Sequence, residues 1–195
     1  MLVVLTLSLA LVSCNSAGDV PDGMKLASLT SSPYHLYIPE SWQITQTIAA
    51  CGGYTSDGSN VNVSVYAASD ISVGGSEGTA VTTEDTSAST EVSTDSTVKT
   101  SREQYIDSYW EMCWKTYTKE LNGFFVITDG KAAKLGGLDA KQYVYTAKFE
   151  NVEYKMQMTV TYSAGLVYIF TYTAKTENYE THLEQIEKIV SAFKF

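Results

Sequence analysis

With 195 residues, 44% of them hydrophobic, the chain is long enough to build one domain with a sizeable core and some additional segments. A net charge of −9 and no cluster of Lys or Arg argue against nucleic acid as a partner, because phosphate binding needs grouped cations. Fourteen tyrosines favour a sheet-rich fold.

The first element is Leu2–Val12, an apolar run broken by Thr6 and Ser8. It is shorter than the ~20 residues a bilayer-spanning helix needs and has the length of the apolar core of an export signal. It ends Leu11-Val12-Ser13-Cys14, which resembles a bacterial lipobox. That resemblance implies that residues 1–13 form a lipoprotein signal peptide and that the Cys14 thiol takes a diacylglyceryl group before cleavage leaves it first in the chain. Two or more acyl chains at ~0.8 kcal/mol per buried methylene make a durable anchor. The competing reading makes Leu2–Val12 a buried strand or helix and Cys14 an ordinary structural thiol. Residues 14–30, small and polar with Gly18, Pro21 and Gly23, are expected to be a flexible tether, with the domain proper spanning 31–195.

PYHLYIPESWQITQTI (33–48) alternates around Pro39-Glu40-Ser41 and predicts two strands joined by a turn. CGGYTSDGSN (51–60) reads as a turn or edge, and NVNVSVYA (60–67) as a strand with Val61, Val63 and Val65 on one face. Residues 69–100 contain fifteen Ser or Thr, no aromatic residue and a net charge of −5. Such a stretch buries too little to offset the ordering of its backbone, so a disordered acidic insertion is expected. At 100–104 two capping boxes overlap, Thr100 with Glu103 or Ser101 with Gln104. They open a helical stripe of Ile106, Trp110, Cys113 and Tyr117, widened by Tyr105, Tyr109 and Met112 and closed at Asn122-Gly123.

Strands follow at FFVIT (124–128), AAKLGG (132–137), AKQYVYTAKFE (140–150), YKMQMTVTY (154–162) and LVYIFTYTA (166–174), punctuated by Asp129-Gly130, Gly136-Gly137, Glu150-Asn151 and Ala164-Gly165. In the last two strands both faces read as apolar, which calls for cover on both sides of the sheet. Leu183, Ile186, Val190 and Phe193 then mark a C-terminal helix, with Thr176 as its cap. The fold expected is α+β. It is a three-layer α/β/α sandwich with a central, mostly antiparallel sheet, flanked by one helix from the N-terminal half and one C-terminal helix.

PYHLYIPESWQI, GGLDAKQYVYTAKFENVEYKMQMTVTY and the closing GLVYIFTYTAKTENYETHLEQIEKIVSAFKF together resemble PsbP-like domains, in particular the DcrB-like envelope lipoproteins of bacteria. The resemblance covers about 31–68 and 101–195 and leaves the acidic insertion outside. It implies a non-catalytic binding or assembly module, extracytoplasmic and lipid-anchored, that meets another envelope protein. The family shares a fold and no reaction, so neither its photosystem nor its Ran contacts carry over.

The candidate chemistry is sparse. His35 and His182 lie in no hydrolase or Cys-His signature and read as surface or partly packed residues. No zinc-ligand spacing and no phosphate loop occur, so neither a metal nor a cofactor is implied. Cys51 and Cys113 either bridge across 62 residues, for roughly 4 kcal/mol, or remain buried thiols. Tyr105, Tyr109 and Trp114 could line a ligand groove, although core packing is the commoner use of such a stripe. A small-ligand or cation-binding surface module is the alternative function.

Overall fold

The computed structural model describes residues 20–47, 50–73 and 101–195. The signal-like leader, Cys14, the first part of the expected tether and most of the acidic insertion lie outside the described residues.

Seven strands form one antiparallel sheet: β3 (Gln43–Gln46), β4 (Ala50–Tyr54), β5 (Asn60–Ala67), β6 (Asn122–Leu135), β7 (Leu138–Phe149), β8 (Val152–Ser163) and β9 (Leu166–Lys175). Their spatial order is β3-β4-β5-β9-β8-β7-β6, so the last strand in sequence is the middle one in space. The chain leaves β5 at one side of the sheet and crosses to the far edge. It returns by three hairpins until β9 pairs with β5. Helix α1 (Ser101–Glu120) lies on that single crossover and covers one face; helix α2 (Leu183–Ala192) lies on the other. A two-stranded ribbon, β1 (Met24–Leu26) with β2 (Tyr37–Pro39), shares the α2 face. The expected three-layer α+β sandwich is the observed one.

Two cores follow from strand alternation. Under α1, Ile106, Trp110 and Cys113 pack on Tyr143, Tyr145, Met156, Met158, Val160, Val167 and Ile169. Under α2 and the ribbon, Val61, Val63, Phe170, Tyr172 and Ala174 meet Leu36, Ile38, Trp42, Ile186 and Ile189. Burying each large apolar side chain contributes about 1.5–3 kcal/mol. Met112, expected on the apolar face of α1, is exposed instead.

Several boundaries move. The domain starts before residue 31: Met24–Leu26 is a strand, and Ala27 and Ser28 are buried. Small polar residues there suit a solvated coil, but ribbon pairing with Tyr37–Pro39 orders them. The insertion begins later than residue 69, because Ile71 is anchored in the α1-side core beyond a 3-10 turn at Ala68–Asp70. FFVIT and AAKLGG are one strand, β6, bent by register shifts around Val126–Lys131, with Gly130 at φ +70. Thr176 caps nothing; its hydroxyl donates to the Glu153 carbonyl, and a 3-10 turn at Tyr179–His182 leads into α2.

CGGY is strand β4, inside the sheet, and its glycines serve close approach rather than turning. A Cβ at Gly53 would sit 2.5 Å from Ile38 Cδ1 of the overlying ribbon, and one at Gly52 would sit 2.0 Å from the Val61 carbonyl oxygen. Gly52→Ala is therefore expected to destabilise the domain by about 1–3 kcal/mol, the range for overpacking a close-packed interior. Urea denaturation checks this against Gly58→Ala as a control. A Cβ at Gly58 meets nothing within 4 Å, although its positive φ carries a separate backbone strain.

Candidate functional site

The two helices differ in reach. At 1.5 Å per residue, α1 is about 30 Å long and α2 about 15 Å, while seven strands spaced ~4.8 Å apart make a face ~29 Å wide. The β1–β2 ribbon covers part of the α2 face near β4, where Ile38 meets Gly53. Between α2 and the β6–β8 part of that face runs a groove of about 570 Å³. Its helix side is Leu183, Ile186 and Val190; its sheet side includes Gln142, Gln157 and Thr159.

The groove floor is polar because β8 alternates. Met156, Met158 and Val160 face α1, while Lys155, Gln157, Thr159 and Thr161 face the other way. The reading of β8 as apolar on both faces is thereby corrected; only β9 has that character. The strand resolves most of these polar groups locally. Thr161 donates to the Asp139 carbonyl at 2.6 Å, Gln157 Oε1 accepts from the Tyr179 hydroxyl at 3.0 Å, and the Lys155 ammonium lies 4.0 Å above the Tyr179 ring. Thr159 is the exception: it is 1% exposed and its hydroxyl has no hydrogen-bond partner.

A second polar group stitches the α2 end to the β4–β5 turn. His182 Nε2 is 2.9 Å from Asp57 Oδ2 and His182 Nδ1 is 3.1 Å from Gln185 Oε1, which also accepts from Trp42 Nε1 at 3.1 Å. The indole N–H can only donate, so it fixes which end of the Gln185 amide faces the imidazole. Both ring nitrogens then face acceptors. Burial alone would raise the Asp57 pKa. Hydrogen bonds from the Thr55 hydroxyl, the His182 ring and Ser59 outweigh it and hold the carboxyl well below the usual range. His182 is thus partly packed, and His35 is half-buried in a bridge with Lys194.

The residues singled out from the sequence are not brought together. Tyr105 stacks on Tyr162 at 4.8 Å, Tyr109 is buried beside Tyr66, and Trp114 stands edge-on to Trp110 and Phe124. Each ring packs separately against the sheet or along α1 rather than around a shared opening. Cys51 and Cys113 are free, buried thiols. The bridge entertained from the sequence does not form, because Cys51 sits beside Val63 on the α2 face while Cys113 lies under α1, with the sheet between them. Burial pushes the Cys113 thiol up, against the pull of hydrogen bonds with Tyr109 and Tyr117. Cys14 lies outside the described residues. Among those residues, no three His, Cys, Asp or Glu side chains are placed to hold a metal ion, and no helix is long and apolar enough to cross a membrane.

A different surface stands out at the corner where α1 ends and β6 begins. Phe125 is 67% exposed, on the face turned away from α1, and Ile127 is 51% exposed; Phe149 and Val152 of the β7–β8 hairpin are exposed on the α1 side, where Phe149 packs on Tyr154.

Comparison with known proteins finds no matching family model and no matching curated protein. Solved structures do share the fold. The cyanobacterial PsbP protein (CyanoP) of Synechocystis aligns over 94% of this chain and 97% of its own, with a TM-score of 0.54 and 16% identity. LpqN of Mycobacterium tuberculosis, described as involved in cell envelope biogenesis, aligns over 88% and 90%, with a TM-score of 0.51 and 14% identity. The fold is PsbP-like.

The depressed Asp57 pKa has a sign. A carboxylate whose folded pKa lies below its unfolded value of ~3.9 stabilises fully above that value. The contribution is lost as pH falls through the folded pKa. Asp57→Asn is expected to melt below wild type at pH 6, with the gap closing as pH drops from about 4 towards 2. Paired thermal melts across that window check it, and a constant gap would remove the linkage.

Proposed function

We propose that this chain is a non-catalytic accessory lipoprotein of the bacterial envelope, a DcrB-like member of the PsbP-like proteins. Cys14 fastens it to the membrane outside the cytoplasm, and its folded domain docks another envelope protein. The observation that carries this reading is the Leu11-Val12-Ser13-Cys14 pattern set ahead of a domain of this fold. LpqN's involvement in cell envelope biogenesis is consistent with such a place for the fold. Phe125 and Ile127, exposed near the start of β6, supply apolar anchors of the kind a docking surface needs.

The test is one preparation from a bacterial host, in wild-type and variant forms. Mass spectrometry of the mature protein should show Cys14 as the first residue with diacylglyceryl and acyl mass. Cys14→Ser should leave the membrane fraction. Phe125→Ser with Ile127→Ser, both exposed and so costing little stability, should lose the envelope protein that crosslinks to wild type. A mature chain that keeps residues 1–13 without acyl mass would overturn the anchoring. A crosslinking pattern unchanged by the double variant would overturn docking at this corner.

A further inference from the structure

We propose that the groove beside α2 binds a small amphipathic monocarboxylate. Its carboxylate lies on Lys131, Gln142 and Thr159, and its hydrocarbon part lies against Leu183, Ile186 and Val190. This goes beyond the docking reading and uses a different surface.

Strand register makes the carboxylate end. Lys131 of β6 is opposite Gln142 of β7, and Gln142 is opposite Thr159 of β8, so the three side chains form one row across adjacent strands. All three line the groove. Directly paired residues on neighbouring strands stand about 5 Å apart. The row therefore presents an ammonium, a carboxamide and a hydroxyl in sequence from edge to interior. Each can donate, and an ionised carboxylate is an acceptor only.

The hydroxyl is the independent sign of a ligand. Two residues along the same strand, Thr161 finds a backbone carbonyl, whereas Thr159, equally buried, finds none. A buried hydroxyl without a partner is unfavourable, and natural interiors seldom retain one without a reason. The neighbouring amide points to the same chemistry. Tyr179 occupies Gln157 Oε1, which leaves that side chain its N–H groups to give.

Charge at the rim sets the limit on the ligand. Lys134 is tied to Asp139, while Lys131 makes no ion pair among the described residues. Glu187 lines the helix side. One carboxylate is therefore favoured near β6, and a second negative charge reaching the helix would be repelled. The volume, about 570 Å³, lies within the ~300–1,000 Å³ range of small-molecule sites, and the helix side supplies the apolar wall for an alkyl chain.

The probe is octanoate, measured by ligand-observed saturation transfer and by amide shifts in the purified folded protein. Wild type should bind it saturably, with shifts at Gln142, Thr159 and Ile186. Octanol, octylamine and the eight-carbon dicarboxylate suberate should each bind at least tenfold more weakly. Thr159→Val, which replaces the orphan hydroxyl by a methyl of the same shape, should melt no lower than wild type and weaken octanoate at least fivefold. Lys131→Met, at an exposed position, should fold normally and erase the preference for octanoate over octanol. Absence of saturation at millimolar octanoate, equal binding of octanol by wild type, unchanged octanoate affinity in either variant, or a marked loss of stability in Thr159→Val would each overturn the proposal. None of these results bears on lipidation or on docking at Phe125.

Discussion

β9 has no wet face. Val167 and Ile169 point into the α1-side core, and Tyr168, Phe170, Tyr172 and Ala174 into the α2-side core, all nearly or fully excluded from solvent. It is also the fourth strand of seven, with β5 paired on one side and β8 on the other along most of its length. Over Val167–Phe170 neither a backbone edge nor a side-chain face meets solvent, so burial of that stretch requires both helix layers at once. The long crossover carrying α1 and the return by hairpins are the route by which one chain supplies cover on both faces and leaves the middle place for its last strand. The C-terminal segment completes the arrangement, because the Tyr172 hydroxyl donates to the Tyr179 carbonyl and holds the turn that feeds α2.

The unequal lengths of the two helices turn this architecture into surfaces. α1 packs over the β6–β9 part of its face as an aromatic layer, in which Trp110 stacks on Tyr143 at 4.2 Å. α2 is half as long, and beside it the sheet changes chemistry, from the apolar rows of β5 and β9 to the polar row of β8. The groove is the place where those two facts coincide. The stitch from Asp57 through His182 and Gln185 to Trp42 fixes the start of α2 against the β4–β5 turn and Trp42, and so fixes one wall of the groove. The PsbP-like fold thus supplies a rigid frame, and the particular residues on its short-helix face decide what it can hold.

Legibility in the sequence followed the kind of signal involved. NVNVSVYA, the α1 stripe and the α2 stripe were readable because one face of each is apolar at a fixed period, and burial rewards that pattern directly. CGGY was unreadable as a strand because glycine there answers to the crowding of Ile38 and Val61, which only the folded ribbon and sheet create. β6 was split in two because a bulged strand breaks the alternation that marks a strand. The polar row of β8 is present in MQMTVTY, where every second residue is polar, but the bulky Met and Val of the other row carry the stronger hydrophobic signal. What lies opposite Thr159 depends on register with Gln142 and Lys131, and no local pattern encodes that. The aromatic stripe on α1 follows its commoner use, core packing: Tyr109 and Trp110 are buried and Tyr105 stacks on Tyr162.

Both cores depend on β9, and native-state hydrogen exchange reads that dependence strand by strand. The amides of Val167–Tyr172 should exchange only through global unfolding, with an opening free energy equal to that from denaturant melting. No smaller opening should expose them, even where α1 or the β3–β4 edge frays. If those amides instead exchanged through a cheaper partial opening while either helix layer stayed protected, β9 would not be the shared support of the two cores.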